Sequence, residues 1–266
     1  MNHLQKWFPF NHRKILEENE KGNTFRHSEE RIQVFCFPSA GSSAGLYRAW
    51  CEATKNNEEI DFIPVEIPGR GNHISSPAAR SINELTEAFL EVFPEVVRAP
   101  YIIYGHSFGA AVAFQVAYAL QEKGFRLPEK LIVAGRHAPH MKDPNPLSST
   151  STDAEIIEEI KKMGGTPAAI LNHPEMLQFT LSQLRADLRT HESLRYVGQQ
   201  LHIPIEAHCA TQDDAHKAIV EYWKDVTTEE FKIKEFEGHH FFIQALGNQY
   251  LNELMDTVYQ TKKSLF

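Results

Sequence analysis

The sequence predicts an α/β fold, with a mostly parallel central sheet, helices on both faces and an inserted helical lid. Three observations carry this. Short apolar, β-rich runs alternate with segments of helical periodicity along the chain. Most of the strand-like runs are predominantly apolar, as strands covered on both faces require. The alternation stops once, for about seventy residues between Ala134 and Ile205, where helical patterns follow one another without a convincing strand.

In chain order, the expected strands are Ile32 to Phe37, Phe62 to Ile67, Tyr101 to Tyr104, Leu131 to Ala134, Ile205 to Ala210 and Phe231 to Phe236. Ile82, Leu85, Phe89 and Phe93 recur at spacings of three and four, predicting a helix over 82–97 that Pro94 kinks or ends. Phe108 to Glu122 and Leu246 to Tyr259 read as helices in the same way. The lid, about 145–200, holds helical patterns at Thr152 to Met163, Ala168 to Leu171 and Glu175 to Tyr196, punctuated by Gly164-Gly165, Pro167 and Pro174. An insertion after a strand's C-terminal end falls on the edge where open α/β sheets hold ligands, so it can roof a site there.

The chain has 266 residues, which suits one large domain; we expect an N-terminal extension over 1–28 and the domain proper over 29–266. A hydrophobic content of 42% is enough for a full core. The net charge of −8 is spread along the chain and no Lys/Arg cluster forms a nucleic-acid footprint, so no nucleic-acid partner is expected. Cys36, Cys51 and Cys209 are an odd number at no metal-ligand spacing, which suits reduced thiols in a cytoplasmic protein. Trp7, Phe8 and Phe10 form an aromatic cluster rather than a continuous apolar stretch, and no segment approaches a membrane span.

The chemistry centres on Gly105-His106-Ser107-Phe108-Gly109. Small residues two before and two after a serine let a strand turn sharply into a helix, so that the hydroxyl stands above the sheet. Here Tyr101-Ile102-Ile103-Tyr104 supplies the strand and Ala110-Ala111-Val112-Ala113-Phe114 begins the helix. Ser107 is therefore the candidate nucleophile of an α/β-hydrolase fold, and His106 beside it a packing and hydrogen-bonding residue. In this fold the acid and then the histidine follow in loops after later strands. Thr211-Gln212-Asp213-Asp214 and Gly238-His239-His240 occupy those loops. With 14 histidines in the chain, position is the evidence, and spacing leaves both the Asp213/Asp214 and the His239/His240 choices open. The oxyanion would be held by the Phe108 amide and an amide from the Pro38-Ser39-Ala40-Gly41 loop.

These residues resemble the type II, editing thioesterases that accompany nonribosomal peptide and polyketide synthases. The resemblance rests on Phe37-Pro38-Ser39-Ala40-Gly41, Ile67-Pro68-Gly69-Arg70, Gly105 to Gly109, Ala138-Pro139-His140, Gly164-Gly165-Thr166-Pro167, Leu184-Arg185-Ala186-Asp187 and Gly238-His239-His240-Phe241-Phe242. The family's Gly-Gly-His-Phe motif places the catalytic histidine on His240. Its Gly-x-x-Asp loop places the acid on Asp214, with Thr211 standing where the family has Gly. It also favours Ser39, over Ala40, as the second oxyanion amide. Arg185 and Asp187 read as a structural ion pair within the lid. The resemblance implies hydrolysis of acyl or aminoacyl thioesters on the phosphopantetheine arm of acyl or peptidyl carrier proteins, by a monomer with no cofactor and no metal. A medium-chain fatty acyl thioesterase or a general carboxylesterase of the same fold is the alternative.

Overall fold

The computed structural model describes residues 2–20, 31–97, 100–142 and 147–265. The first residues of the expected lid, and much of the expected N-terminal extension, lie outside them. Six strands form one parallel sheet: β1 (Ile32–Phe37), β2 (Ile60–Pro64), β3 (Tyr101–His106), β4 (Lys130–Ala134), β5 (Ile205–Ala210) and β6 (Phe231–Phe236), in the order β2-β1-β3-β4-β5-β6. The described α-helices are α1 (His3–Trp7), α2 (His12–Glu20), α3 (Arg48–Ala53), α4 (Ile82–Val92), α5 (Phe108–Glu122), α6 (Asp153–Met163), α7 (Ala168–Leu171), α8 (Pro174–Glu192), α9 (Lys217–Val220), α10 (Phe242–Ala245) and α11 (Asn248–Lys263). The α/β class with a helical insertion between β4 and β5 is thus the observed architecture.

Every residue of β1, β3, β4 and β5 is buried, which explains their mostly apolar character; the buried Lys130 and Glu206 pair with each other at 3.2 Å. Edge strand β6 is half-exposed and alternates instead. One face of the sheet carries α4 and α5, with Phe35, Phe89, Phe93 and Phe114 in its core; the other carries α3 and α11, with Trp50, Tyr104, Tyr250 and Leu254. Strand β2 runs two residues earlier and ends three earlier than expected. Beyond Pro64 the Val65 amide makes a last bond to β1, at Cys36 O and 3.0 Å, and the Glu66 amide then turns to the carbonyl of Trp7 at 2.8 Å. Helix α4 stops at Val92 and gives way to a single tight turn containing Pro94, which has no amide to continue the ladder.

Residues 2–20 supply part of the core. Leu4, Trp7, Phe8 and Ile15 are buried against the α4 face, where Phe8 meets Phe35 and Phe89 edge-on. The lid has a small core of its own, Ile156, Ile160, Leu181 and Leu184. A Thr152–Glu155 capping box starts α6, and Gly164, at φ 82°, ends it.

The order reverses between β1 and β3, which places the switch point, and the crevice beyond it, at the carboxyl ends of those two strands. Register sets their loops side by side, since Phe37 at the end of β1 lies opposite Gly105. At the sheet's other side Ala210 lies opposite Phe236, so the loops after β5 and β6 also emerge together. The N-terminal packing makes a quantitative expectation: Phe8→Ala should lower unfolding free energy by about 3–5 kcal/mol in urea denaturation. A change below about 1 kcal/mol would mean that the segment only rests on the surface.

Candidate active site

Ser107 sits at φ 55°, ψ −116°, the only non-glycine with positive φ among the described residues. The flanking glycines make this possible. A Cβ on Gly105 would overlap the Gly109 carbonyl and the Ala110 amide, and one on Gly109 would overlap the Phe37 and Pro38 carbonyls. The Ser107 amide donates to Ala134 O at 2.8 Å, anchoring the turn to β4. Phe108 then begins α5, and a helix's first amide has no partner within the helix. Ser39, Ala40, Ser107 and Phe108 all line the cavity.

His240 Nε2 lies 2.9 Å from Ser107 Oγ, and His240 Nδ1 lies 3.2 and 3.1 Å from the two Asp213 carboxylate oxygens. A carboxylate only accepts, so Nδ1 carries the proton and Nε2 presents its lone pair to the serine hydroxyl. Burial raises the Asp213 carboxyl, but the hydrogen bond from His240, with that of the Ala215 amide, outweighs it and holds the group below the usual carboxylate range. His106 is fully buried, and desolvation with the neighbouring His240 drives its pKa down to about 3. It is therefore neutral and donates from Nε2 to the His240 carbonyl at 2.9 Å, bracing the loop that presents the imidazole.

The geometry corrects the expected acid. Asp214 is exposed and faces lid residue Lys162 at 3.5 Å, while Asp213 meets His240. The cause is a tight turn at the end of β5: the Asp213 amide donates to Ala210 O at 3.3 Å, and the Gln212 amide to Gly238 O at 2.9 Å. The loop turns back immediately after the strand, so residue 213 faces the histidine loop and residue 214 faces out. The family spacing, counted from Thr211 in place of a glycine, overshoots by one. His239 is exposed at the cavity rim, and of the two histidines it is His240 that the loop brings to Ser107.

A second correction concerns the lid. Arg185 pairs with Asp153 at 2.6 Å and donates to Ser149 O at 2.9 Å, whereas Asp187 pairs with Arg70 of the Ile67-Pro68-Gly69-Arg70 segment. Residues i and i+2 of a helix do not share a face, so Arg185 and Asp187 could not meet on α8.

The cavity under the lid measures about 860 Å³. Ile160, Met163, Ile170, Leu184 and Leu188 give it an apolar lid wall, and Gly165 packs so closely on the Phe241 ring that a Cβ there would overlap it. Three thiols take no part: Cys36, Cys51 and Cys209 are free, and burial raises each, Cys51 to about 12 and Cys209 to about 11. Among the described residues no cluster of His, Cys, Asp and Glu could hold a metal, and no helix is long and apolar enough to cross a membrane.

A hydroxyl facing an imidazole lone pair, with the imidazole oriented by a carboxylate, composes a site suited to acyl transfer. Substituting Asp213 by Asn should lower kcat for ester or thioester hydrolysis about 10⁴-fold, because the imidazole then favours the wrong tautomer. Asp214→Asn should leave kcat within about threefold, since its carboxylate faces Lys162 at the cavity rather than His240. Equal losses in steady-state assays of the two variants would contradict the geometry. Glu66, buried beside the loop after β1, accepts from the Ala44 amide at 3.1 Å, and burial pushes its pKa up to about 7. Between pH 4.5 and about 7 the folded state holds this proton and the unfolded chain releases it, so Glu66 makes stability fall as pH rises through that window. Glu66→Gln should flatten that fall in urea titrations.

The family model described as "Thioesterase domain" matches residues 32–260. The chain is 30% identical over 236 residues to linear gramicidin dehydrogenase LgrE of Brevibacillus parabrevis, covering 87% of this chain and 89% of that one. The structure of RedJ, a thioesterase from the prodiginine biosynthetic pathway of Streptomyces coelicolor, superposes with a TM-score of 0.77 at 30% identity, covering 86% of this chain and 90% of that one. YbtT, a type II thioesterase from the yersiniabactin NRPS/PKS biosynthetic pathway, superposes with a TM-score of 0.75 at 27% identity, covering 89% and 96%. The family match spans all six strands, the lid and both loops that meet at Ser107. On that extent of agreement the chain belongs to the thioesterase domain family, with an α/β-hydrolase fold.

Proposed function

We propose that this protein is a type II thioesterase that hydrolyses acyl and aminoacyl groups from the phosphopantetheine arm of carrier proteins in nonribosomal peptide or polyketide synthesis. The Ser107–His240–Asp213 row at the floor of the lidded cavity is the observation that carries the chemistry. The pathway is supported by the likeness to RedJ and YbtT.

Ser107 Oγ attacks the thioester carbonyl as His240 Nε2 takes its proton. The Phe108 amide, together with the Ser39 amide, holds the tetrahedral oxyanion. Collapse breaks the carbon–sulfur bond, and His240 returns the proton to the pantetheine sulfur. A water then attacks the acyl-serine, its proton again passing through His240, and the free acid leaves with Ser107 restored. Asp213 keeps the imidazole in the required tautomer and stabilises its cation in both halves. Thiolate is a better leaving group than alkoxide, so this machinery can serve a range of acyl groups in a roomy, largely apolar cavity.

One purified enzyme offered an acyl-phosphopantetheinyl carrier protein, the matching acyl-coenzyme A and a p-nitrophenyl ester should show its highest kcat/KM on the carrier. A clear preference for the simple ester would overturn the assignment in favour of a general esterase. Ser107→Ala should lower kcat by about six orders of magnitude with an unchanged circular dichroism spectrum.

A further inference from the structure

The loop after β1 carries a tether that reaches it from the lid. The Ser42 amide donates to Ser39 O at 3.1 Å, closing a turn over residues 39–42. Its third residue, Gly41, has φ 71°, while Ala40 has no positive φ. Positive φ at the third position alone is the signature of a type II turn. Types I and II differ by a flip of the central peptide, here Ala40–Gly41, and glycine at the third position already favours type II. In this structure the flip state has an external partner: the Gly41 amide donates to Asp187 Oδ2 at 2.7 Å. In the other flip state the Ala40 carbonyl would face that carboxylate, two acceptors with no proton between them.

Asp187 is placed to act this way only because its charge is matched. Both Asp187 and Arg70 are almost wholly buried, at 3% and 2% exposure, and they pair through Asp187 Oδ1 and Arg70 Nη2. Arg70 Nη1 also donates to Ser42 O at 2.7 Å, so the pair grips two consecutive residues of the turn. The part of α8 that carries Asp187 is fixed to the body of the protein. Thr190 donates to Ala79 O at 2.7 Å, and Ser193 just beyond the helix accepts from the Ile82 amide at 2.8 Å. Toward the other end of α8, Met176 and Phe179 are about half exposed, and Gln178 reaches Asp153 of α6 within the lid at 3.4 Å. Leu184, one turn before Asp187, lies where a Gly41 Cβ would be, so helix and turn are also in direct contact.

We propose that Asp187, a lid residue backed by Arg70, is a positioning residue for the reaction: it locks the Ala40–Gly41 peptide in the type II state and thereby holds the turn so that the Ser39 amide faces the oxyanion. The inference rests on the acyl-transfer reading of Ser107 above. Asp187 touches no reacting atom, and its contribution reaches the substrate through the backbone of residues 39–41.

The test uses the whole enzyme and an acyl-carrier thioester. Asp187→Asn keeps the shape but cannot serve both the Gly41 amide and the Arg70 guanidinium, and kcat should fall by roughly 10- to 100-fold, as for a misplaced oxyanion donor, with KM changed less than about twofold. The affinity for an alkyl trifluoromethyl ketone, which forms a tetrahedral adduct on Ser107, should weaken by the same factor as kcat. A purely structural role would instead lower the melting temperature and leave kcat and inhibitor affinity of the folded protein unchanged, and that result would overturn the proposal. So would a rise in KM at constant kcat. If Asp187→Asn fails to fold, Asp187→Glu decides, since it retains the charge for Arg70 and displaces the carboxylate: unchanged kcat and inhibitor affinity would overturn the proposal. Hydrogen exchange of the 38–44 backbone should be slow in the wild type and fast in either folded variant. A wild type without Ser107-dependent hydrolysis would instead defeat the underlying functional reading.

Discussion

The approach of α5 to the end of β1 is the constraint around which the site is organised. At Gly109 the helix backbone comes so near the Phe37 and Pro38 carbonyls that no side chain fits between them. That contact fixes the distance between the serine turn after β3 and the loop after β1, two segments about seventy residues apart in sequence. It also explains why Ser107 tolerates a backbone conformation that costs on the order of 1–3 kcal/mol: the surrounding strand pairing and helix packing leave the chain no other path.

From that contact the other parts of the site follow by parallel register. Each strand of the sheet delivers its following loop to one edge, and three of those loops converge. The loop after β3 brings the hydroxyl, that after β5 the carboxylate, and that after β6 the imidazole. His106, next to the serine, is consumed as a brace, since its buried neutral ring donates to the backbone of His240. The adjacency of two histidines to one serine thus resolves into different tasks: one ring faces substrate and the other holds it there.

The lid does more than cover. Its apolar wall shapes the cavity, and through Asp187 and Arg70 the anchored half of α8 takes hold of the oxyanion turn. A buried ion pair adds little net stability for its desolvation cost, so conformational specificity is the property such a pair supplies best. Here its two members hold the Gly41 amide and the Ser42 carbonyl of the turn after β1.

The sequence by itself determined the features whose causes are local. Predominantly apolar runs specified buried parallel strands, Pro94 specified where α4 gives way, and Gly105 and Gly109 around Ser107 specified a turn that no bulkier residues could make. Only the tertiary structure decided between Asp213 and Asp214, because the answer lay in hydrogen bonds from Gln212 to Gly238 and from Asp213 to Ala210, which set how soon the loop turns back. It alone gave Asp187 to Arg70, more than a hundred residues away, and turned Trp7 and Phe8 into core. Adjacent side chains on a loop point in different directions, and which one faces inward depends on the neighbouring strand's backbone. Sequence spacing carries no record of that neighbour.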